Sequence, residues 1–223
     1  VVIASETAYH ADLVELAAAA GKTVILQKPM ALTLAEADRI VSAVQRAGIR
    51  FTMAWQMRVD PQNLKMRELM ESGVLGRIFM VRRRHGLNMC LNPAFASSWH
   101  VDPAMNRDIW ADDAAHPLDF VYWLFGMPQS VTAEIVSLHD EAMPMDNGVV
   151  IFRYEGGPLV EVGCSFTNPA GENTTEVVGE KGSIVQNFGD GPSCNVPMPP
   201  GGIALKWFLR DEGEWTVADF ESP

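Results

Sequence analysis

The first third of the chain alternates short apolar runs with longer amphipathic segments. Val1-Val2-Ile3-Ala4, closed by Ser5-Glu6-Thr7, has the pattern of a strand buried on both faces. Thr7 is placed to cap a helix over Tyr9 to Ala20, with Leu13, Leu16 and Ala17 on its apolar face and Gly21 as its stop. Thr23-Val24-Ile25-Leu26 predicts a second buried strand, broken by Gln27-Lys28-Pro29. Thr33 and Glu36 stand at capping-box spacing before a helix that carries Leu34, Ala37, Ile40, Val41 and Val44 and stops at Gly48. Arg50-Phe51-Thr52-Met53-Ala54 predicts a third strand. This β-α-β-α-β order predicts right-handed crossovers and a parallel sheet. Ligands of such sheets sit at the strand carboxyl ends. Here those ends are Ser5-Glu6-Thr7, Gln27-Lys28-Pro29 and Trp55-Gln56-Met57-Arg58, half of a nucleotide site without a Gly-rich phosphate turn.

The rest follows another pattern. A helix is expected from Pro61 to Gly73, then a turn at Gly73-Val74-Leu75-Gly76 and a basic-apolar alternating strand over Arg77 to His85. Asn88 to Arg107 is a polar loop with aromatics, and Asp112 to Phe125 a helix ended by Gly126. Antiparallel strands are expected near Ser130–Ser137, Gly148–Tyr154, Leu159–Phe166, Thr175–Gly179 and Gly182–Gln186, with hairpin turns at Glu155-Gly156-Gly157 and Glu180-Lys181-Gly182. The last ~35 residues, rich in Pro and Gly, give no clear element on the short-loop expectation. The fold class is therefore α/β: a partial Rossmann-type parallel sheet over residues 1–58, then an α+β domain with a mostly antiparallel open sheet over 59–223.

Composition narrows the function classes. Hydrophobic residues at 48% and charged residues at 20% are globular proportions and exclude a disordered or collagen-like chain. A net charge of -11 repels phosphates, so neither a nucleic-acid partner nor an anionic membrane surface is expected. Arg82-Arg83-Arg84 does not alter this, because a strand divides it between two faces. No apolar run approaches the ~18 residues of a membrane span. Cys90, Cys164 and Cys194 form no C-x-x-C pair and read as free, mostly buried thiols of a reducing compartment. A soluble, cytoplasmic protein is expected.

Several residues could carry chemistry. Asp112, His116 and Asp119 fall at i, i+4 and i+7 of the expected helix, which makes His116 a general acid/base oriented by Asp112. Two alternatives stand beside this: Asp112 and Asp113 simply cap the helix, or Asp112, His116 and Asp119 hold a metal. Pro117 fits only a first helical turn, so a start at Ala114 or later is the alternative for this helix. Lys28, held extended before Pro29, is either a partly desolvated donor aimed into the crevice or an exposed loop lysine. His10 covers a cofactor ring or is a solvated first-turn histidine. Trp99-His100-Val101-Asp102 combines stacking and polar groups suited to a sugar or cyclitol, or else anchors its loop.

Taken in order, Gln27-Lys28-Pro29, the junction Trp55-Gln56-Met57-Arg58-Val59-Asp60-Pro61, the segment from Asp112 through His116 to Asp119, and Val177-Val178-Gly179 with Lys181-Gly182-Ser183 resemble the glucose–fructose oxidoreductase, inositol dehydrogenase and MocA family over residues 1 to about 190. The resemblance implies an oxidoreductase that passes hydride between NAD or NADP and a sugar or cyclitol hydroxyl. It implies that Lys28 hydrogen-bonds the reacting hydroxyl and the nicotinamide ribose, while His116 takes the hydroxyl proton and Asp112 orients it. Ser5, Thr7, His10, Gln27, Lys28, Pro29, Gln56 and Arg58 become the cofactor side; Lys28, Trp99, His100, Asp112 and His116 become the substrate side, with no metal. It further implies a homo-oligomer formed through the second sheet.

The departures are Gln27 for the acid before the lysine, Asn106-Arg107-Asp108 and Ala114 where the family has glycines, and the lack of any G-x-G-x-x-G. A stiffer, more polar loop is expected at 106–108. Two βα units and a strand would precede Val1, so weak or no cofactor binding by residues 1–223 alone is expected. The alternatives are a non-catalytic dimerisation or sugar-binding module, and a metal-assisted lyase or hydrolase.

Overall fold

A computed structural model describes residues 1–169, 171, 173–187 and 203–220. Strands β1 (Val2–Ile3), β2 (Val24–Leu26) and β3 (Phe51–Met53) form a parallel sheet in the order β1-β2-β3, with helices α1 (His10–Ala19) and α2 (Leu34–Ala47) in the crossovers. Both crossovers run the same way across the sheet, so right-handedness sends both helices to one face. Ile3, Val24 and Leu26 are buried against them, whereas Val2 and Ile25, paired in register on the other face, are 69% and 40% exposed. This corrects the expectation of strands buried on both faces. α1 also differs in detail: it buries His10, Ala11, Val14, Ala17 and Ala18 and turns Leu13 and Leu16 outward. Small side chains let it approach α2 and the sheet closely.

α2 begins as its sequence demands. Thr33 Oγ1 accepts from the Glu36 N–H at 3.2 Å, and the Thr33 N–H donates to Glu36 Oε2 at 3.0 Å. Gly48 ends it at φ +62, a left-handed position where a side chain would be strained. Thr7, by contrast, caps no helix. It lies in a short 3₁₀ turn (Thr7–Tyr9), and its hydroxyl donates to Asn106 Oδ1 at 2.6 Å.

Helix α3 (Pro61–Glu71), capped by Asp60, leads into β4 (Ile78–Gly86). The loop expected after β4 is instead a run of 3₁₀ turns (Met89–Leu91, Pro93–Ser97, Trp99–Val101) and a short helix α4 (Pro103–Asn106). The long helix expected next is two, α5 (Ile109–Asp113) and α6 (Ala115–Phe125). Pro117 has no N–H for the Asp113 carbonyl and its ring crowds that carbonyl, so the helix breaks between them.

β4 lies inside an eight-stranded sheet with β5 (Ser130–Val136), β6 (Asn147–Arg153), β7 (Leu159–Ser165), β8 (Asn173–Gly179), β9 (Gly182–Asn187), β10 (Leu205–Leu209) and β11 (Trp215–Val217), ordered β11-β10-β9-β8-β4-β7-β6-β5. Every pairing is antiparallel except β4 with β7. β10 and β11 fall in the Pro- and Gly-rich stretch whose pattern predicts no clear element. One face packs Val81, Val160, Val162 and Val177 against Met66, Leu69, Phe120 and Val121 of α3 and α6. Strand alternation therefore buries Arg83 and His85 on the helix side and leaves Arg82 and Arg84 on the other. On the face the helices leave open, a cavity of about 400 Å³ is lined by residues that include Arg84, Glu134, Asn147 and Ser165.

Thr33→Ala removes the capping box and should cost about 1 kcal/mol, lowering Tm by ~2–4 °C in a chain of this size. An unchanged thermal melt would show that the cap contributes nothing to the fold.

Candidate active site

The three strand ends of the small sheet meet the stretch from α4 to α6: Thr7 reaches Asn106, Lys28 reaches Asp112, and Gln56 and Arg58 reach α6. Lys28 follows β2, and its peptide bond to Pro29 is cis. Its side chain, 13% exposed, crosses to α5, where Nζ donates to Asp112 Oδ1 at 2.6 Å and to the Asp112 carbonyl at 3.2 Å. Asp113 Oδ1 lies 3.6 Å from the same ammonium. Of the two readings of Lys28, the structure has the partly desolvated donor. Asp112 Oδ2 accepts from His100 Nδ1–H at 2.6 Å, and the His100 ring is stacked on Trp99, with centroids 3.8 Å apart. Trp99 therefore packs on the histidine that anchors its own loop.

This arrangement corrects the pairing expected from helical spacing. Both Asp112 oxygens are engaged, by Lys28 and by His100. The carboxylate that reaches His116 belongs to Asp113, with Oδ1 4.0 Å from Nε2. The Gln56 side-chain amide lies 3.5 Å from the same Nε2. The capping alternative also falls: Asp108 caps α5, while Asp112 and Asp113 are buried at its far end. Asp119 takes a bidentate pair from Arg58, at 2.8 and 2.6 Å, which ties the β3 exit to α6 and occupies the guanidinium. Asp112, His116 and Asp119 thus point to different partners. Among the described residues no group of three or more His, Cys, Asp or Glu is arranged to hold a metal.

The remaining strand-end residues divide. His10 is fully buried rather than solvated, with Nδ1 2.9 Å from the Pro29 carbonyl and Nε2 3.2 Å from the Ser5 carbonyl. It links the ends of β1 and β2 and offers no surface to a ligand. Thr7 is likewise buried on Asn106. Gln27, exposed, accepts the Lys28 N–H on its own Oε1, and Ser5 is half-buried. Asn106 Nδ2 donates to the His100 carbonyl at 3.2 Å, and Arg107 beside it carries φ +66. Two site residues escaped the sequence reading, Asp113 and His85. His85, buried at the end of β4, lies with its ring 6.2 Å from that of His116. Its place was available from the alternation Val81, Arg83, His85.

Burial sets the charges. Burial alone would raise the Asp112 carboxyl, but the His100 hydrogen bond and the Lys28 charge outweigh it and hold the group below the ordinary value. Asp113 has less compensation: burial, with Asp112 adding to it and Lys28 opposing, pushes it up to about 6. Burial, aided by Arg83 and Lys28, drives His85 down to about 3, so it is neutral near pH 7. Burial pushes the Cys90 and Cys164 thiols up to about 12. Both are free and buried, and Cys194 lies outside the described residues.

Comparison with known proteins decides the family. The model of the GFO/IDH/MocA C-terminal domain matches residues 63–185, and that of the oxidoreductase family with NAD-binding Rossmann fold matches residues 1–55. The chain belongs to the GFO/IDH/MocA oxidoreductase family. It is 32% identical over 189 residues to an inositol 2-dehydrogenase of Acidothermus cellulolyticus, covering 82% of this chain and 52% of that protein. It is 29% identical over 193 residues to a D-apiose dehydrogenase of Paraburkholderia graminis, covering 82% and 49%. The chain spans about half the length of these curated relatives. Among solved structures, levoglucosan dehydrogenase in complex with NADH and levoglucosan superposes with a TM-score of 0.83 at 23% identity, covering 97% of this chain and 60% of that one. The WlbA dehydrogenase of Bordetella pertussis, in complex with NADH and UDP-GlcNAcA, gives 0.75 at 25%, covering 89% and 60%. No helix among the described residues is long and apolar enough to cross a membrane.

The raised Asp113 carboxyl fixes the sign of a pH effect. A carboxyl whose folded pKa lies above its unfolded value of ~3.9 adds stability below that value and loses it as pH rises through about 6. Asp113→Asn should therefore melt higher than the parent above pH ~6, with the gap closing toward pH ~4. A gap of equal size at every pH would show that Asp113 ionises freely in the folded protein.

Proposed function

We infer that the protein is an NAD- or NADP-dependent dehydrogenase acting on a hydroxyl of a sugar or cyclitol. The observation that carries this reading is a half-buried lysine, clamped by Asp112, with Asp113 between it and the buried His116, at the carboxyl ends of a parallel sheet. The family matches over both parts of the chain support it, as do relatives named for inositol and D-apiose. Residues 1–58 are assigned to the cofactor side and 59–223 to the substrate side. The open face of the second sheet is the proposed contact between copies, and the cytoplasm the proposed location.

The residues present fit one end of such a cofactor. Ser5, Gln27, Lys28 and Gln56 gather donors and acceptors at the strand ends, where a nicotinamide and its ribose would be held. A G-x-G-x-x-G phosphate turn is not among these 223 residues. When bound, the nicotinamide accepts or returns the hydride.

The chain's own groups supply the rest. Lys28, fixed by Asp112 through His100, donates to the reacting hydroxyl and sets its distance from His116. The Gln56 side-chain N–H can only donate to His116 Nε2, which marks this nitrogen as the unprotonated one; a substrate hydroxyl that displaces the amide meets its lone pair. Nε2 then takes the hydroxyl proton during oxidation and returns it during reduction. Trp99 and His100 form the substrate-side wall next to this pair.

In the protein as its gene encodes it, myo-inositol and a panel of aldoses should reduce NAD or NADP, read by nicotinamide absorbance. Lys28→Ala and His116→Ala should each lower kcat by ~10²-fold or more without unfolding the chain. Full turnover in either variant, or stoichiometric sugar binding with no nicotinamide reduction, would reject the assignment; the second result would favour a binding module.

A further inference from the structure

Asp113 has no part in the mechanism above, yet it lies between that mechanism's two principal groups. Its Oδ1 is 3.6 Å from Lys28 Nζ and 4.0 Å from His116 Nε2. The side chain is 12% exposed, so water screens neither contact well. Lys28 is held more closely by Asp112, at 2.6 Å, and His100 meets the other Asp112 oxygen, so Asp113 is the carboxylate of the cluster that faces His116. It stands where a further cation would be balanced. His116 becomes one when Nε2 takes a proton.

We propose that Asp113 is a positioning residue that balances the charge of His116, so that the two side chains share one titration. This rests on the reading of His116 as the proton acceptor and adds a fourth member to the site. With Asp113 ionised, the imidazolium faces a carboxylate, and a small side-chain rotation brings Nε2–H within hydrogen-bond range of Oδ1. With Asp113 protonated, that support is lost and the imidazolium forms less readily. The proton moved is the one on His116 Nε2, which returns to the substrate alkoxide on reduction.

The other charged groups facing Asp113 are known. Lys28 from the β2 end lowers its pKa, Asp112 on its own helix raises it, and His100 from the 3₁₀ turn lowers it. The Cys90 and Cys164 thiols in its field are neutral, each raised to about 12. Burial still leaves Asp113 raised to about 6, and titratable neighbours that interact this closely titrate as a pair. A carboxylate that burial penalises at neutral pH is also not one the fold needs for stability.

The test is an NMR titration of the folded chain without cofactor, following the His116 ring and the Asp113 carboxyl carbon from pH 4 to 9. Wild type should give two-step curves with common midpoints at both groups. Asp113→Asn should give a single His116 step shifted down by about one pH unit or more, and Asp113→Glu should restore the two-step curve. Independent single-step curves in wild type, or a His116 midpoint unmoved in folded Asp113→Asn, would overturn the proposal. Should Asp113→Asn fail to fold, the wild-type curves decide. A protein without dehydrogenase turnover that still shows the shared titration refutes the proposed function alone; an active protein with independent titrations refutes the coupling alone.

Discussion

The Lys28 ammonium is the constraint on which the site depends. It is brought out of water at the end of a strand, and a cation so placed must find compensation or lose its proton. Compensation comes from 84 residues away, through the Asp112 carboxylate and carbonyl. The same bond therefore joins the end of the small parallel sheet to the helix pair that covers the large sheet. Breaking a buried pair from one side typically costs several kcal/mol, while replacing both partners by apolar groups is often neutral. Stability alone does not explain such a pair. Its position does: through Asp112 and Asp113 it ties the ammonium to the helix pair that carries His116, where a loosely placed lysine would lose its orientation.

The helix break completes the geometry. Had α5 and α6 formed one helix, Asp112 and His116 would lie on the same face and Asp112 would serve the histidine. Pro117 prevents this by removing the bond to the Asp113 carbonyl. Asp112 is then free to turn to Lys28 and His100, and Asp113 becomes the acid beside His116. A shift in one hydrogen bond of the main chain thus reassigns which carboxylate serves which partner.

Much of this was legible from sequence, and the failures have physical causes. The capping box at Thr33 and Glu36, the turn at Gly48 and the alternation along β4 rest on local rules, and each appears as read. Lys28 and His116 could be chosen because strand ends and helix starts bring chemistry together. The partners of Asp112 could not, since both are set by tertiary contacts. Leu13 and Leu16 mark an apolar face by hydrophobicity alone, whereas α1 packs through its alanines and Val14. Two-sided burial of β1 and β2 was expected from apolar runs, but crossover handedness, itself readable from the element order, puts both helices on one face.

The polar loop at 106–108 shows how a side chain can take over a task that glycine performs elsewhere. Arg107 carries φ +66, and the Asp108 N–H closes onto the Asn106 carbonyl at 2.9 Å, a three-residue turn that strains any residue with a side chain. Such strain persists only where the surroundings over-determine it. Here Asn106 is fully buried, receives the Thr7 hydroxyl at 2.6 Å, and donates its own amide to the His100 carbonyl at 3.2 Å. Thr7, which caps no helix, is thereby linked through Asn106 to the loop that carries His100. His100 in turn orients Asp112 and, through it, Lys28. The cost of the turn at Arg107 is borne by a chain of hydrogen bonds that begins in the 3₁₀ turn after β1 and ends on the Lys28 ammonium.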